Sequence, residues 1–165
     1  MLNLTNPIGL IRPGTIEFGP GTVSAAGRWA KARGLRRALV ISDAFNAGRT
    51  DVLELPGDVH VFGEVKPEPD VANLDKALAM AARVKPDLVV GFGGGSAMDL
   101  AKLVAVLTGS AQTLPEVVGP DKVDGRACAL IQVPTTSGTG SEGGIRALVT
   151  DPVTQNKLAV QSLHI

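Results

Sequence analysis

Tyrosine is absent from this sequence, and one tryptophan and four phenylalanines supply all its aromatic rings, 3% of 165 residues. The stacking series with which proteins grip single-stranded nucleic acid is therefore missing. An excess of one charge is missing too: 16 basic residues stand against 16 acidic ones, with no basic block. Nucleic acid is thus not an expected partner. Cys128 is the single cysteine, so no intrachain disulfide can form. Its setting, Ala127-Cys128-Ala129-Leu130-Ile131, reads as a small buried hydrophobe in a reducing compartment. No apolar run reaches the ~20 residues of a membrane span. Residues 1–11 lack the basic start and long apolar core of a signal peptide. The expectation is a soluble, cytoplasmic protein. The only histidines are His60 and His164, with no helical His-x-x-x-His pair, so no metal ligands are assigned.

What is present is a core. Hydrophobic residues make up 44% and charged residues 19%, which excludes disorder. The length suits one domain, residues 1–165. Val, Leu, Ile and Ala dominate, as in helix-covered parallel sheets. Short strands are expected over residues 15–18, 38–42, 59–65, 87–91 and 130–133. Helices are expected over 23–33, capped by Thr22, over 70–84, capped by Asp70, and over 97–107. Two further strands around Asp151-Pro152 form a C-terminal β-hairpin. The alternation implies an α/β fold, a mostly parallel sheet with helices on both faces. In such sheets ligands sit beyond the C-terminal ends of the strands.

Three segments at those ends carry chemistry. Gly91-Phe92-Gly93-Gly94-Gly95-Ser96-Ala97-Met98-Asp99 joins a strand to a helix whose Leu100, Leu103, Val104 and Leu107 make an apolar stripe. It reads as a phosphate cradle at a helix N-terminus or as a tight turn. Asp43, directly after a strand, can accept the hydroxyls of an adenosine ribose and repel a 2′-phosphate, or can cap a helix. In the common dinucleotide fold the acid follows the glycine loop by about 20 residues; here it precedes the loop. Residues 135–141 bring five hydroxyls and two glycines, suited either to a nucleotide or to the loop's own backbone. Thr139 and Glu142 match a capping box. Lys102 reads as a solvated lysine pairing with Asp99 at i, i+3.

Gly93-Gly94-Gly95-Ser96-Ala97-Met98-Asp99-Leu100-Ala101-Lys102, with Pro134-Thr135-Thr136-Ser137-Gly138-Thr139-Gly140-Ser141-Glu142, resembles the iron-containing (group III) alcohol dehydrogenase family. The resemblance runs from about residue 15 to the end. It implies a Rossmann-like, dehydroquinate synthase-like N-terminal coenzyme domain. By that resemblance Asp43 contacts the adenosine ribose, Gly94, Gly95 and Ser96 hold the pyrophosphate, and Asp99 stands close behind. Thr135, Thr136 and Thr139 line the adenine and phosphate side, and Lys157 reaches the nicotinamide ribose. The implied coenzyme is NAD. Arg146 could favour a phosphate, which keeps NADP open.

The chain also departs from the family pattern, with Glu68 in an asparagine position and Gly143-Gly144 and Arg146 after the Ser-Glu pair. The family's helical domain, with its ligands for a divalent metal (iron or zinc), is expected to be absent. The expectation is a truncated oxidoreductase, with no catalytic residue of its own and no turnover alone. The intact enzyme would interconvert a small alcohol and an aldehyde or ketone. The coenzyme domain of a glycerol dehydrogenase, maleylacetate reductase or dehydroquinate synthase-like relative, and a non-catalytic fragment, are the alternatives. A homodimer or larger assembly is expected, with apolar surface bare near Val160 and Leu163.

Overall fold

The computed structural model describes residues 13–165. Four parallel strands form the main sheet: β1 (Arg37–Ser42), β2 (Asp58–Phe62), β3 (Leu88–Gly93) and β5 (Ala129–Pro134), in the order β2-β1-β3-β5. Side chains alternate across a strand, and β1 shows it. Leu39 and Ile41 enter the cluster shared with α3 (Val71–Val84) and α4 (Gly95–Leu107), while Ala38 and Val40 meet Ala26 and Ala30 of α1 (Ala25–Ala32). Helices therefore cover both faces. A second sheet, β4 (Gly119–Pro120), β7 (Lys157–Gln161) and β6 (Arg146–Thr150), contains the C-terminal hairpin, and its β4 pairs parallel to β7. A short helix α2 (Ala44–Ala47) follows β1, and α5 (Leu114–Val117) precedes β4.

Local chemistry sets the element ends. Asp70 caps α3, its Oδ1 accepting the Asn73 N–H at 2.7 Å. The Asp87 carboxylate accepts the backbone N–H groups of Arg36 and Arg37 and so aligns the starts of β1 and β3. A capping box forms at Thr113 and Glu116, not at Thr139 and Glu142, where the chain makes only a turn.

The structure corrects several expectations. Residues 15–18 pair with no strand among the described residues, and Ile16 and Phe18 lie exposed. Thr22 turns its hydroxyl back to the Gly19 carbonyl, and a 3-10 turn (Thr22–Ser24) precedes α1. The stripe on α4 is only part of its buried surface. Every residue after Ser96 except Asp99 is buried, because α4 lies between the two sheets and meets apolar neighbours on both sides. Val160 is fully buried in β7, so of the two hydrophobes expected to be bare only Leu163 is exposed.

Candidate functional site

An open cleft of about 500 Å³ lies beyond the C-terminal ends of β1, β3 and β5. Asp43, Gly94, Gly95, Ser96, Thr135 and Thr136 line it, with Phe45, Asn46, Arg49, Val65, Lys66, Pro67 and Ala97. Six of the nine sequence-assigned site residues thus meet in one place.

Asp43 sits there as the N-cap of α2. Its Oδ1 accepts the Phe45 and Asn46 N–H groups, both at 2.9 Å, and its Oδ2 accepts Asn46 Nδ2 at 2.9 Å. Partial burial pushes its pKa up, but these hydrogen bonds from Asn46 and Phe45 outweigh it and hold the carboxyl below its ordinary value. The two readings of Asp43 are therefore compatible: it caps a helix and still faces the cleft.

The loops are fixed to one another. Thr135 donates its N–H to the Gly93 carbonyl at 2.9 Å, and Asn46 Nδ2 lies 3.4 Å from Thr135 Oγ1. A Cβ on Gly93 would lie 2.8 Å from Ala97 Cβ and 2.9 Å from Asp43 Oδ2. Only glycine lets β3 pass this close to the carboxylate. A Cβ on Gly94 would approach Thr136 Oγ1 at 3.2 Å, and one on Gly95 the Thr139 methyl at 3.1 Å. The far wall depends on Asn73, 2% exposed, whose Oδ1 accepts the Lys66 N–H and whose Nδ2 donates to the Glu64 carbonyl. Glu68 donates its N–H to Ser96 Oγ at 3.3 Å.

Three assigned residues stand off the lining. Thr139 packs behind Gly95. Asp99 accepts from Ser141 Oγ and from the Leu148 N–H, tying α4 to the hydroxyl loop and to β6. Lys157, at the start of β7, pairs with Glu68 at 3.4 Å. Lys102 overturns its reading as a solvated lysine. It is 1% exposed and donates to the Gly144 and Arg146 carbonyls at 2.7 and 2.8 Å. Burial pushes its pKa down, against the upward pull of Asp99 and Glu142.

Sequence reasoning missed Asn46, Arg49 and Lys66. Asn46 and Arg49 lie four and seven positions after the end of β1, where nothing signals a role until the intervening helix is known. Asn46 is 5% exposed and its Oδ1 is buried without a hydrogen-bond partner. Among the described residues, no group of three or more His, Cys, Asp and Glu could hold a metal ion, and no helix is long and apolar enough to cross a membrane. The arrangement can hold an elongated anionic ligand. Backbone N–H groups and hydroxyls serve a phosphate, and a carboxylate serves a hydroxyl.

Comparisons with known proteins agree on the family. The family model for iron-containing alcohol dehydrogenase matches residues 13–165. Long-chain-alcohol dehydrogenase 1 of Geobacillus thermodenitrificans is 38% identical over 143 residues, covering 81% of this chain and 36% of that protein. The crystal structure of a 1,3-propanediol oxidoreductase superposes with a TM-score of 0.89 at 26% identity, over 96% of this chain and 44% of that one. The sulfoacetaldehyde reductase of Bifidobacterium kashiwanohense, solved in complex with NAD+, gives a TM-score of 0.82 at 28% identity, over 93% and 43%. The chain thus spans less than half the length of each of these proteins.

Proposed function

Since the chain belongs to the iron-containing alcohol dehydrogenase family of oxidoreductases, we propose that its cleft is the coenzyme site of such an enzyme, with NAD as the coenzyme. The observation that carries this is the convergence of Asp43, the Gly94-Gly95-Ser96 turn and the Thr135-Thr136 pair on one cleft. The residues fit the group. The glycine turn leaves room that a Cβ would fill, Ser96 and Thr136 offer hydroxyls beside it, and Asp43 keeps an acceptor for a ribose hydroxyl. Gly94, Gly95 and Ser96 would hold the pyrophosphate. Thr135, Thr136 and Thr139 would shape the adenine side, and Lys157 would sit toward the nicotinamide ribose, with Asp99 holding the loop behind. When bound, the nicotinamide supplies hydride transfer between a small alcohol and its aldehyde or ketone. This chain's part is to bind and orient the coenzyme. The family's divalent metal, iron or zinc, finds no ligand set among the described residues, and no step here is assigned to it. We read residues 1–165 as the coenzyme domain of a cytoplasmic protein that assembles as a homodimer or larger.

Calorimetric titration with NAD and NADH, beside alcohol oxidation assays with added iron or zinc, tests this. The expected result is binding without turnover. Absence of binding would overturn the coenzyme site. Robust metal-dependent turnover by residues 1–165 would show that they supply more than a coenzyme site.

A further inference from the structure

Asp43 has less to offer a ligand than its position suggests. A carboxylate presents about four lone-pair directions. Three are already taken, two by backbone N–H groups at Oδ1 and one by Asn46 Nδ2 at Oδ2. One remains for a ribose diol. The Asn46 amide must turn its nitrogen to the carboxylate, because its oxygen there would face another acceptor. That N–H also offsets part of the charge at Oδ2. The usual effect of an acid at this place, both hydroxyls held and a 2′-phosphate repelled, is correspondingly weaker.

A cation stands on the same wall. Arg49 lines the cleft beside Asp43 and Asn46, and it is exposed. Its guanidinium lies 5.4 Å from the centroid of the Phe45 ring, four residues earlier in the chain. Ion pairs among the described residues engage Lys66, Lys76 and Lys157, not Arg49. Lys66 also lines the cleft but leans toward Asp70 at 3.8 Å. Arg146, the cation that the sequence suggests, is not on the lining, and its carbonyl is held by Lys102.

We propose that Arg49 is a coenzyme-specificity residue: its guanidinium receives the 2′-phosphate of a phosphorylated dinucleotide and gives the cleft affinity for NADP beside NAD. The proposal rests on the coenzyme reading above. A guanidinium meets a phosphate with two parallel N–H donors, whereas the unphosphorylated ribose presents no charge for it to meet.

Titrating NAD and NADP into the wild type, Arg49→Gln, Arg49→Lys and Arg146→Gln separates the possibilities. The wild type binds both. Arg49→Gln weakens NADP about tenfold and moves NAD by less than about twofold, the scale of one lost charged hydrogen bond. Arg49→Lys falls between, keeping the charge without the fork, and Arg146→Gln changes neither. Binding of NAD without NADP by the wild type would overturn the proposal and leave the coenzyme reading intact, as would a NADP affinity unmoved by Arg49→Gln. Equal weakening of both coenzymes would make Arg49 a general contact and overturn its selectivity. Binding of neither would overturn both readings.

Discussion

Lys102 shows how much one side chain can mean once its surroundings are known. Its sequence neighbours suggest a solvated partner for Asp99, since i, i+3 spacing on a helix brings the two close. That spacing says nothing about what covers them. The hairpin does, and it places the ammonium in a buried niche with the Gly144 and Arg146 carbonyls as acceptors. Asp99, one turn earlier, takes the Ser141 hydroxyl and the Leu148 N–H. The two side chains thus anchor both ends of the segment leading from the hydroxyl loop into β6. Replacing Lys102 with methionine keeps the stem and removes every donor, leaving two carbonyls without their charged partner. The expected cost is about 2–4 kcal/mol, given charged hydrogen bonds of about 1.5–3 kcal/mol each. Urea denaturation of the variant would show it as a lower midpoint at an unchanged slope; an unmoved midpoint would mean that these bonds add nothing net. Cys128 makes the opposite case, a residue whose sequence reading holds. It is buried, and burial pushes its thiol up to about 11, so it is a packing residue and not a nucleophile.

At the scale of elements, the glycine turn between β3 and α4 decides the geometry of the cleft. Gly93 has to let Asp43 Oδ2 and Ala97 come within contact of where its Cβ would be. Gly93→Ala should therefore push Asp43 off its cap or shift the start of α4, at about 1–3 kcal/mol, the range for overpacking a close-packed site. Thermal melting of the variant would register this as a lower Tm, and an unchanged Tm would mean the backbone yields freely there. The turn itself was legible, because an apolar run, a glycine cluster and a 3.6-residue period stand in series. β1, β3, β5 and α3 were legible for the same reason, each with an apolar pattern bounded by Asp, Gly or Pro. Residues 15–18 were not: Thr15-Ile16-Glu17-Phe18 alternates like a strand, yet strand pairing depends on a neighbour, and a four-residue alternation cannot supply one. α2 was hidden because four residues carry no period, so Asn46 and Arg49 could not be placed on the cleft in advance. Burial all round α4 was hidden as well, since it depends on a second sheet that the helix's own pattern does not announce.

The whole molecule brings three distant segments to one end of the sheet, and strand order does it: β1, β3 and β5 are neighbours, so whatever follows each of them must meet. That convergence was legible once the strands were read as parallel. The outer surface was legible only in part. Val160, expected to be bare, sits on the central strand β7, between β4 and β6, and joins the buried core. Apolar exposure falls elsewhere: Phe18 is 98% exposed, Val153 87%, Ile16 65% and Leu163 62%. Phe18 and Ile16 share one stretch that pairs with no strand among the described residues, where β2 likewise has a neighbour on one side only. Exposed apolar surface promotes association, and an unpaired strand edge offers a template for another chain. A self-association surface built on this stretch and edge is therefore expected, giving a homodimer or larger. Light scattering across a dilution series from about 100 to 1 μM spans the range in which interfaces of roughly −8 kcal/mol dissociate. Mass above that of the monomer should persist at the upper end, and Phe18→Ser should lower it while leaving the Tm unchanged, because Phe18 packs on almost nothing among the described residues. A wild type that is monodisperse and monomeric throughout would show that these side chains meet only water, and assembly would then need a surface other than the one described.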